Sequence, residues 1–261
     1  RSSARRTPVV IERIRIIDGR PQSRFHWTCP GCGSWLPGYQ AVTAKDMQKV
    51  VAEIGKVQLC FLDRVSRGSL DLAAAASRNG ALVFFEPSGI GEERLFREAV
   101  AVCHVLKYSH ERLGGIGDKI GMSRPGLEIE TSGSEGLRFR VRSGSWRTMK
   151  AFPVGVVRDT VGAGDWCSAG IAHALLNSPN FQRDKWSVEL VEPALTVGQA
   201  FASLACRYEG ARGLTKAMTA GQFRRAVTAL VTSGTVESKP EESDQKQSRV
   251  WRLICGACSS T

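Results

Sequence analysis

Apolar residues along this chain gather into short continuous runs and longer mixed ones, and the two kinds alternate. Residues 57–62 and 81–85 are short apolar runs, the second ending in Glu86-Pro87-Ser88-Gly89, and between them residues 70–76 read as an Ala-rich helix. Strands that are apolar throughout, separated by helices, predict a parallel sheet covered on both faces. Residues 127–130 alternate apolar and acidic side chains, Thr131-Ser132-Gly133-Ser134-Glu135-Gly136 follows, and residues 137–141 alternate again, which predicts a strand, a glycine turn and a strand. Residues 166–176 carry bulky side chains at Trp166, Ile171, Leu175 and Leu176 with Ala and Gly between, predicting a buried helix that begins at or near Gly164. Residues 194–206 predict a second buried helix. The ends differ. Val9-Val10-Ile11 and Ile14-Arg15-Ile16-Ile17 lead into an Asp18-Gly19 turn, whereas residues 232–248 are rich in Ser, Glu, Lys and Gln without apolar periodicity and read as a flexible linker.

A length of 261 residues suffices for one substantial α/β domain with its own core. No apolar stretch approaches the roughly 20 residues needed to span a membrane, so a soluble, cytoplasmic protein is expected. The net charge of +11 favours anionic ligands. Its arginines are scattered, with no concentrated basic helix and no reader motif, so nucleic acid is not the expected partner.

Candidate chemistry concentrates in Asp159-Thr160-Val161-Gly162-Ala163-Gly164-Asp165. Small residues at the start of an apolar helix leave backbone N–H groups open at its positive end, a pocket for phosphate oxygens. Asp165 beside that pocket is an acceptor-only carboxylate, suited to drawing the proton from an attacking hydroxyl. The plainer alternative is a tight strand-to-helix turn with a first-turn acid.

The whole string resembles the second signature of the PfkB/ribokinase family of carbohydrate kinases. That resemblance implies a ribokinase-like α/β fold, with a mainly parallel central sheet, helices on both faces and lid strands. It implies transfer of the γ-phosphoryl group of ATP, with Mg²⁺, to a hydroxyl of a sugar or sugar-like metabolite. It makes Asp165 the catalytic base and Gly162, Ala163 and Gly164 the anion hole, and places Asp159 and Thr160 among the cofactor contacts. The T-x-G-x-x-G pattern of 131–136 resembles the family's nucleotide-phosphate loop and implies ATP contacts from Thr131, Gly133 and Gly136, although glycine hairpins of this kind are often purely structural. In Val105-Leu106-Lys107-Tyr108-Ser109-His110-Glu111-Arg112, Ser109 stands at the Asn of the family's Asn-x-x-Glu and joins the cofactor contacts. Arg112 falls where the Glu is expected and Glu111 is one residue early, so either Glu111 substitutes through a local shift or metal binding is altered; His110 is given no role. Phe61-Leu62-Asp63-Arg64 and Phe85-Glu86-Pro87-Ser88 resemble the strand ends that frame the substrate cleft, with Asp63, Arg64 and Glu86 serving there or as caps and surface charges. Glu209-Gly210-Ala211 resembles the Gly-Ala pair near the adenine. Residues 7–20 resemble the lid strands, which in this family often pair across a homodimer. The glycine-rich N-terminal signature has no match, which implies a fragment, a mis-called start or a protein completed by a partner.

Of eight cysteines, four form two C-x-x-C pairs, Cys29/Cys32 and Cys255/Cys258, near opposite ends. Two such pairs make one tetrahedral site, and four thiolates suit a structural Zn²⁺ with no open position for chemistry. Disulfides are disfavoured because no secretion signal is visible; a redox pair remains an alternative, and His26 is a replacement ligand if the second pair does not reach. Cys60, Cys103, Cys167 and Cys206 read as core residues. The expected division is lid strands with a zinc-knuckle insert at 1–43, a kinase body at 44–231, a linker at 232–248 and a knuckle tail at 249–261. Behind the kinase stand two alternatives, a catalytically silent nucleotide-binding scaffold and a zinc-dependent nucleic-acid binder.

Overall fold

The computed structural model describes residues 7–17, 20–120 and 124–235 together with Cys255 and Cys258. In chain order these form β1 (Ile11–Ile17), β2 (Arg20–His26), α1 (Ala44–Glu53), β3 (Leu59–Leu62), α2 (Arg67–Arg78), β4 (Leu82–Phe85), α3 (Glu93–Val102), β5 (Val105–Ser109), α4 (His110–Leu113), α5 (Gly117–Ile120), β6 (Leu127–Thr131), β7 (Leu137–Val141), β8 (Arg147–Met149), α6 (Ala163–Leu176), α7 (Val188–Ala205), α8 (Gly213–Ala217) and α9 (Ala220–Ser233).

Six strands make one sheet in the order β3-β4-β5-β6-β7-β8. The first four run parallel and the last two antiparallel. Successive side chains of a strand point to opposite faces, so β4 serves both. Val83 and Phe85 pack with Leu70, Phe96 and Val100 on the side of α2 and α3, while Leu82 and Phe84 pack with Ile171, Leu175 and Leu195 on the side of α6 and α7. Both faces are therefore covered, as the apolar runs predict. α6 lies directly on α7, since a Cβ on Gly170 would stand 2.8 Å from the Cα of Gly198. That close contact seats the first turn of α6 over the sheet.

Among the described residues the N-terminal strands pair with each other and with no other strand, Ile11 opposite His26 through Ile17 opposite Arg20. The lid strands are thus one hairpin, whose second strand was not picked out from the pattern. Beyond β2 the chain tightens into a knuckle in which the Gly33 N–H donates to the Cys29 carbonyl at 2.9 Å and the Cys29 N–H to the Ser34 carbonyl at 2.8 Å.

Two boundaries differ from expectation. α7 starts at Val188 rather than Ala194, because Ser187 caps it by accepting the Leu190 N–H. Pro193 is tolerated inside the helix on its solvent side. Thr232 and Ser233, expected to open the linker, are helical instead, since α9 runs through Ser233 and ends on Gly234 in a left-handed conformation. Residues 236–254, most of the expected linker and tail, lie outside the described residues.

Candidate active site

Because β3, β4, β5 and β6 are parallel, their C-terminal ends share one edge of the sheet, where open α/β sheets bind ligands. Asp63, Glu86, Ser109 and Thr131 stand at or just after those four ends. The start of α6 hangs over the same edge.

The turn into α6 is braced from within. Asp159 is buried, and its carboxylate accepts the Val161 N–H at 3.0 Å and the Gly210 N–H at 2.7 Å. Trp166 Nε1 donates to the Ala211 carbonyl at 3.0 Å. Gly162 has φ +80°, and a Cβ there would sit 2.8 Å from the Ala211 Cα, so conformation and space both require glycine. The turn and the 209–211 segment therefore form one unit, and Asp159 acts there as its brace. The first helical bond runs from the Trp166 N–H to the Gly162 carbonyl at 2.9 Å, while the Ala163 N–H turns back to the Thr160 carbonyl at 3.2 Å. Helix geometry leaves Gly164 and Asp165 N–H groups without a helical acceptor, at the positive end of the dipole. Of the expected 162–164 set, the Ala163 N–H is taken up by the Thr160 carbonyl, and the Asp165 N–H joins Gly164 at the open end of the helix.

Asp165 lies in the first turn of α6. Partial desolvation, more than any neighbour, pushes its carboxyl above the usual aspartate range. Glu86 adds to the rise, Lys107 and Arg112 oppose it, and Asp63 adds a last small push. Glu86, read as a cleft residue, a cap or a surface charge, stands just past the end of β4 and is partly buried. Its carboxylate is held by the Lys107 ammonium and the Ser168 hydroxyl. Asp63 and Arg64 remain solvent-facing, 3.9 Å apart, with the guanidinium over the Tyr39 ring.

Thr131 ends β6 and donates from Oγ1 to the Tyr108 carbonyl at 3.3 Å. The predicted glycine turn is a single 3-10 turn, Gly133–Glu135, with Gly133 and Gly136 at positive φ. Behind it lies a network of buried charges that no contiguous motif marks. Glu128 and Glu130 are each 1% exposed and face Arg140 and Arg138 across the β6–β7 register, with guanidinium-to-carboxylate bonds of 2.7 Å. The Tyr108 hydroxyl donates to Glu128 at 3.0 Å, and His110 pairs with Glu130. Burial and the two carboxylates push the Tyr108 hydroxyl far up. The available signal was that acids alternating along β6 are matched by arginines alternating along β7. The network ties the end of β5, with Ser109, to the end of β6, with Thr131.

Far from this edge in sequence, the four C-x-x-C cysteines come together, all four Sγ atoms within 4.8 Å of one another. Cys29 lies 3.7 Å from Cys258 and Cys32 3.6 Å from Cys255. His26 is not part of the group. Ser34 hydrogen bonds, then the Cys258 and Cys255 thiols, hold the Cys32 thiol down at about 6, whereas the Cys32 and Cys29 thiols push Cys258 up to about 12. Sulfurs this close resist shared ionisation, and a divalent cation among them removes the conflict. Cys60, Cys103 and Cys167 are buried and Cys206 is half-buried, as core residues should be.

The sequence model of the pfkB family carbohydrate kinases matches residues 35–217. Among solved structures, the Burkholderia thailandensis nucleoside kinase in complex with inosine superposes with TM-score 0.57 at 18% identity over 84% of this chain and 67% of its own. A Giardia lamblia ribokinase gives TM-score 0.62 at 13% identity over 84% and 71%. An Arabidopsis thaliana ribokinase complexed with ribose and ATP gives 0.53 at 18% over 84% and 68%. At these identities the likeness is one of fold, and this chain spans about two thirds of the first of them. No curated protein matches the chain.

Proposed function

This chain belongs to the pfkB family of carbohydrate kinases, and on that premise we propose that it transfers the γ-phosphoryl group of ATP to a hydroxyl of a sugar or sugar-like metabolite. The observation that carries the reading is the start of α6, where open N–H groups at Gly164 and Asp165 adjoin a carboxylate with raised proton affinity. Asp165 takes the proton of the attacking hydroxyl. The two N–H groups hold the phosphate being transferred, and their dipoles favour the charge that develops on its oxygens. The Gly133–Glu135 turn and the 209–211 segment flank the nucleotide, with Thr131 and Ser109 at the strand ends between them. For Mg²⁺ the donor set fits through oxygen: Glu111 is the carboxylate on α4 next to Ser109, and Arg112 has no lone pair to offer. Mg²⁺ would supply charge neutralisation between the β- and γ-phosphates. ADP release over a panel of sugars and nucleosides tests the reading, with turnover expected from the parent and not from Asp165→Asn. The competing reading, a silent nucleotide-binding scaffold, draws support from Arg112 and predicts ATP binding with no turnover anywhere in the panel.

Cys29, Cys32, Cys255 and Cys258 we assign to one structural zinc, supported by their four clustered thiols. Zinc-binding thiolates must stay reduced, which suits a reducing compartment and supports a cytoplasmic location, and no described helix is long and apolar enough to cross a membrane. Ile14, Ile16 and Phe25 are exposed on the hairpin, which supports pairing of two copies through their lids; a dimer mass in solution checks that.

A further inference from the structure

β5 reads Val-Leu-Lys-Tyr-Ser, and its lysine is as buried as the apolar residues around it, with Lys107 only 1% exposed. Strand alternation turns Lys107 toward α6, and Glu86, one residue past the end of β4, turns the same way. The ammonium donates to the Glu86 carboxylate and, at 3.1 Å, to the carbonyl oxygen of Gly164. Glu86 accepts a second bond from the Ser168 hydroxyl, one turn along α6. Replacing a buried ion pair by apolar residues is often neutral or stabilising, so stability alone gives no reason for this one.

Its placement does. The Gly164 carbonyl belongs to the same planar peptide unit as the Asp165 N–H, and the two point in opposite directions. Anchoring the oxygen from below fixes the N–H above, at the open end of the helix. A Cβ on Gly164 would lie 3.4 Å from Glu86 Oε1 and 3.7 Å from Lys107 Nζ, so the pair forms the floor of the turn. The charges facing Asp165 come from four elements: Asp63 after β3, Glu86 after β4, Lys107 on β5 and Arg112 on α4.

We propose that Lys107 and Glu86 are positioning residues for phosphoryl transfer. Lys107 fixes the Gly164–Asp165 peptide with its N–H aimed at the phosphate, and Glu86 offsets the lysine's charge so that Asp165 stays basic. The proposal rests on the kinase reading above. It demands opposite effects from two substitutions. Lys107→Met removes a cation that lowers the proton affinity of Asp165, so the acid limb of kcat moves to higher pH; Glu86→Gln removes an anion that raises it, so the limb moves to lower pH. The neutral pair Lys107→Met/Glu86→Gln brings the limb back toward the parent while kcat stays low. Deleting a preorganised oxyanion donor typically costs about 10²- to 10³-fold in kcat, and here the donor survives without its brace, so Lys107→Met should cost about tenfold on the plateau with ATP KM changed less.

The experiment is a pH–kcat profile for parent and variants, together with a ¹³C NMR titration of the Asp165 carboxyl, assigned with Asp165→Asn, that needs no turnover. Opposed shifts in both readouts support the pair. A parent without turnover overturns the kinase reading instead, and the titration still decides the electrostatic role. Limbs that stay put or move together, or plateau kcat equal to the parent's in folded Lys107→Met, overturn the proposal. A purely structural pair would lower the folded fraction and leave the limb of the surviving enzyme where it was.

Discussion

Asp165 must be dry enough to hold a proton tightly and open enough to meet a hydroxyl, and its position meets both demands because it lies in the exposed first turn of α6 above a buried ion pair. Its raised proton affinity fixes the sign of two effects. In the proposed role of base it works when ionised, so activity should fall as pH drops through a value above the ordinary aspartate range of about 3.9. Loss of the base by Asp165→Ala should lower kcat by about 10²- to 10⁴-fold with ATP affinity largely kept, which steady-state kinetics and calorimetry check together; unchanged turnover would remove Asp165 from the chemistry. The same shift means that the folded state holds the proton more tightly than the unfolded one, so this group favours folding at low pH and opposes it above its folded-state value. Asp165→Asn is therefore expected to melt no earlier than the parent at neutral pH while being inactive, and a clear drop in Tm would contradict the assigned shift. Residues 159–165 were legible because their chemistry is contiguous in sequence. Glu86 was legible as a strand-end candidate but its pairing was not, and Lys107 and Ser168 were not legible at all, since a lysine in an apolar strand acquires meaning only when two strand ends and a helix start, 21 to 82 residues apart, meet.

At the scale of elements, what a pattern of apolar residues can reveal depends on how much each element buries. α6 and the strands β3, β4, β6 and β7 were legible because apolar residues run or alternate along them, whereas β5, with buried Lys107, was placed through its resemblance to a strand end. α1 buries no residue fully and α9 only Leu230. Their signals were the capping boxes Thr43/Asp46 and Thr219/Gln222, three residues apart and easily passed over. The turn before α6 separates two glycines with different tasks. Gly162→Ala forces a side chain into a left-handed backbone and against Ala211, at a cost of about 1–3 kcal/mol, seen as a lower denaturant midpoint. Gly164 has ordinary helical backbone and room for a Cβ. Gly164→Val should therefore fold, yet its branched methyls crowd the Lys107–Glu86 floor and the phosphate pocket, so ATP affinity should fall. Equal affinity by calorimetry would place the phosphate elsewhere, and an equally stable Gly162→Ala would mean that the turn can relax.

Across the whole molecule, the covered sheet has two cores of its own, and the hairpin lobe has a small described one built around thiols. Its described core is Cys29, Leu36 and Cys255, with Val9, Ile11 and Cys258 against it. Two of the three buried side chains are thiols from cysteines more than 200 residues apart, which a metal shared by both pairs would tie together. Structural zinc in zinc-finger peptides contributes about 10–16 kcal/mol of apparent binding energy at neutral pH, which sets the scale for this site. Protein purified under reducing conditions without chelator should carry one zinc per chain by elemental analysis, and Cys29→Ser or Cys255→Ser should each abolish it, since either leaves three thiolates. Iron in its place would keep the site and change the metal, whereas no metal with a mapped disulfide between the pairs would make it a covalent clip. Because the sheet and its helices have separate cores, chelation should raise hydrogen exchange around Val9, Ile11 and Leu36 well before it does so in β4 or β5. Simultaneous loss of protection in both regions would show that the metal holds the kinase body as well, and that the lobe is no separate unit.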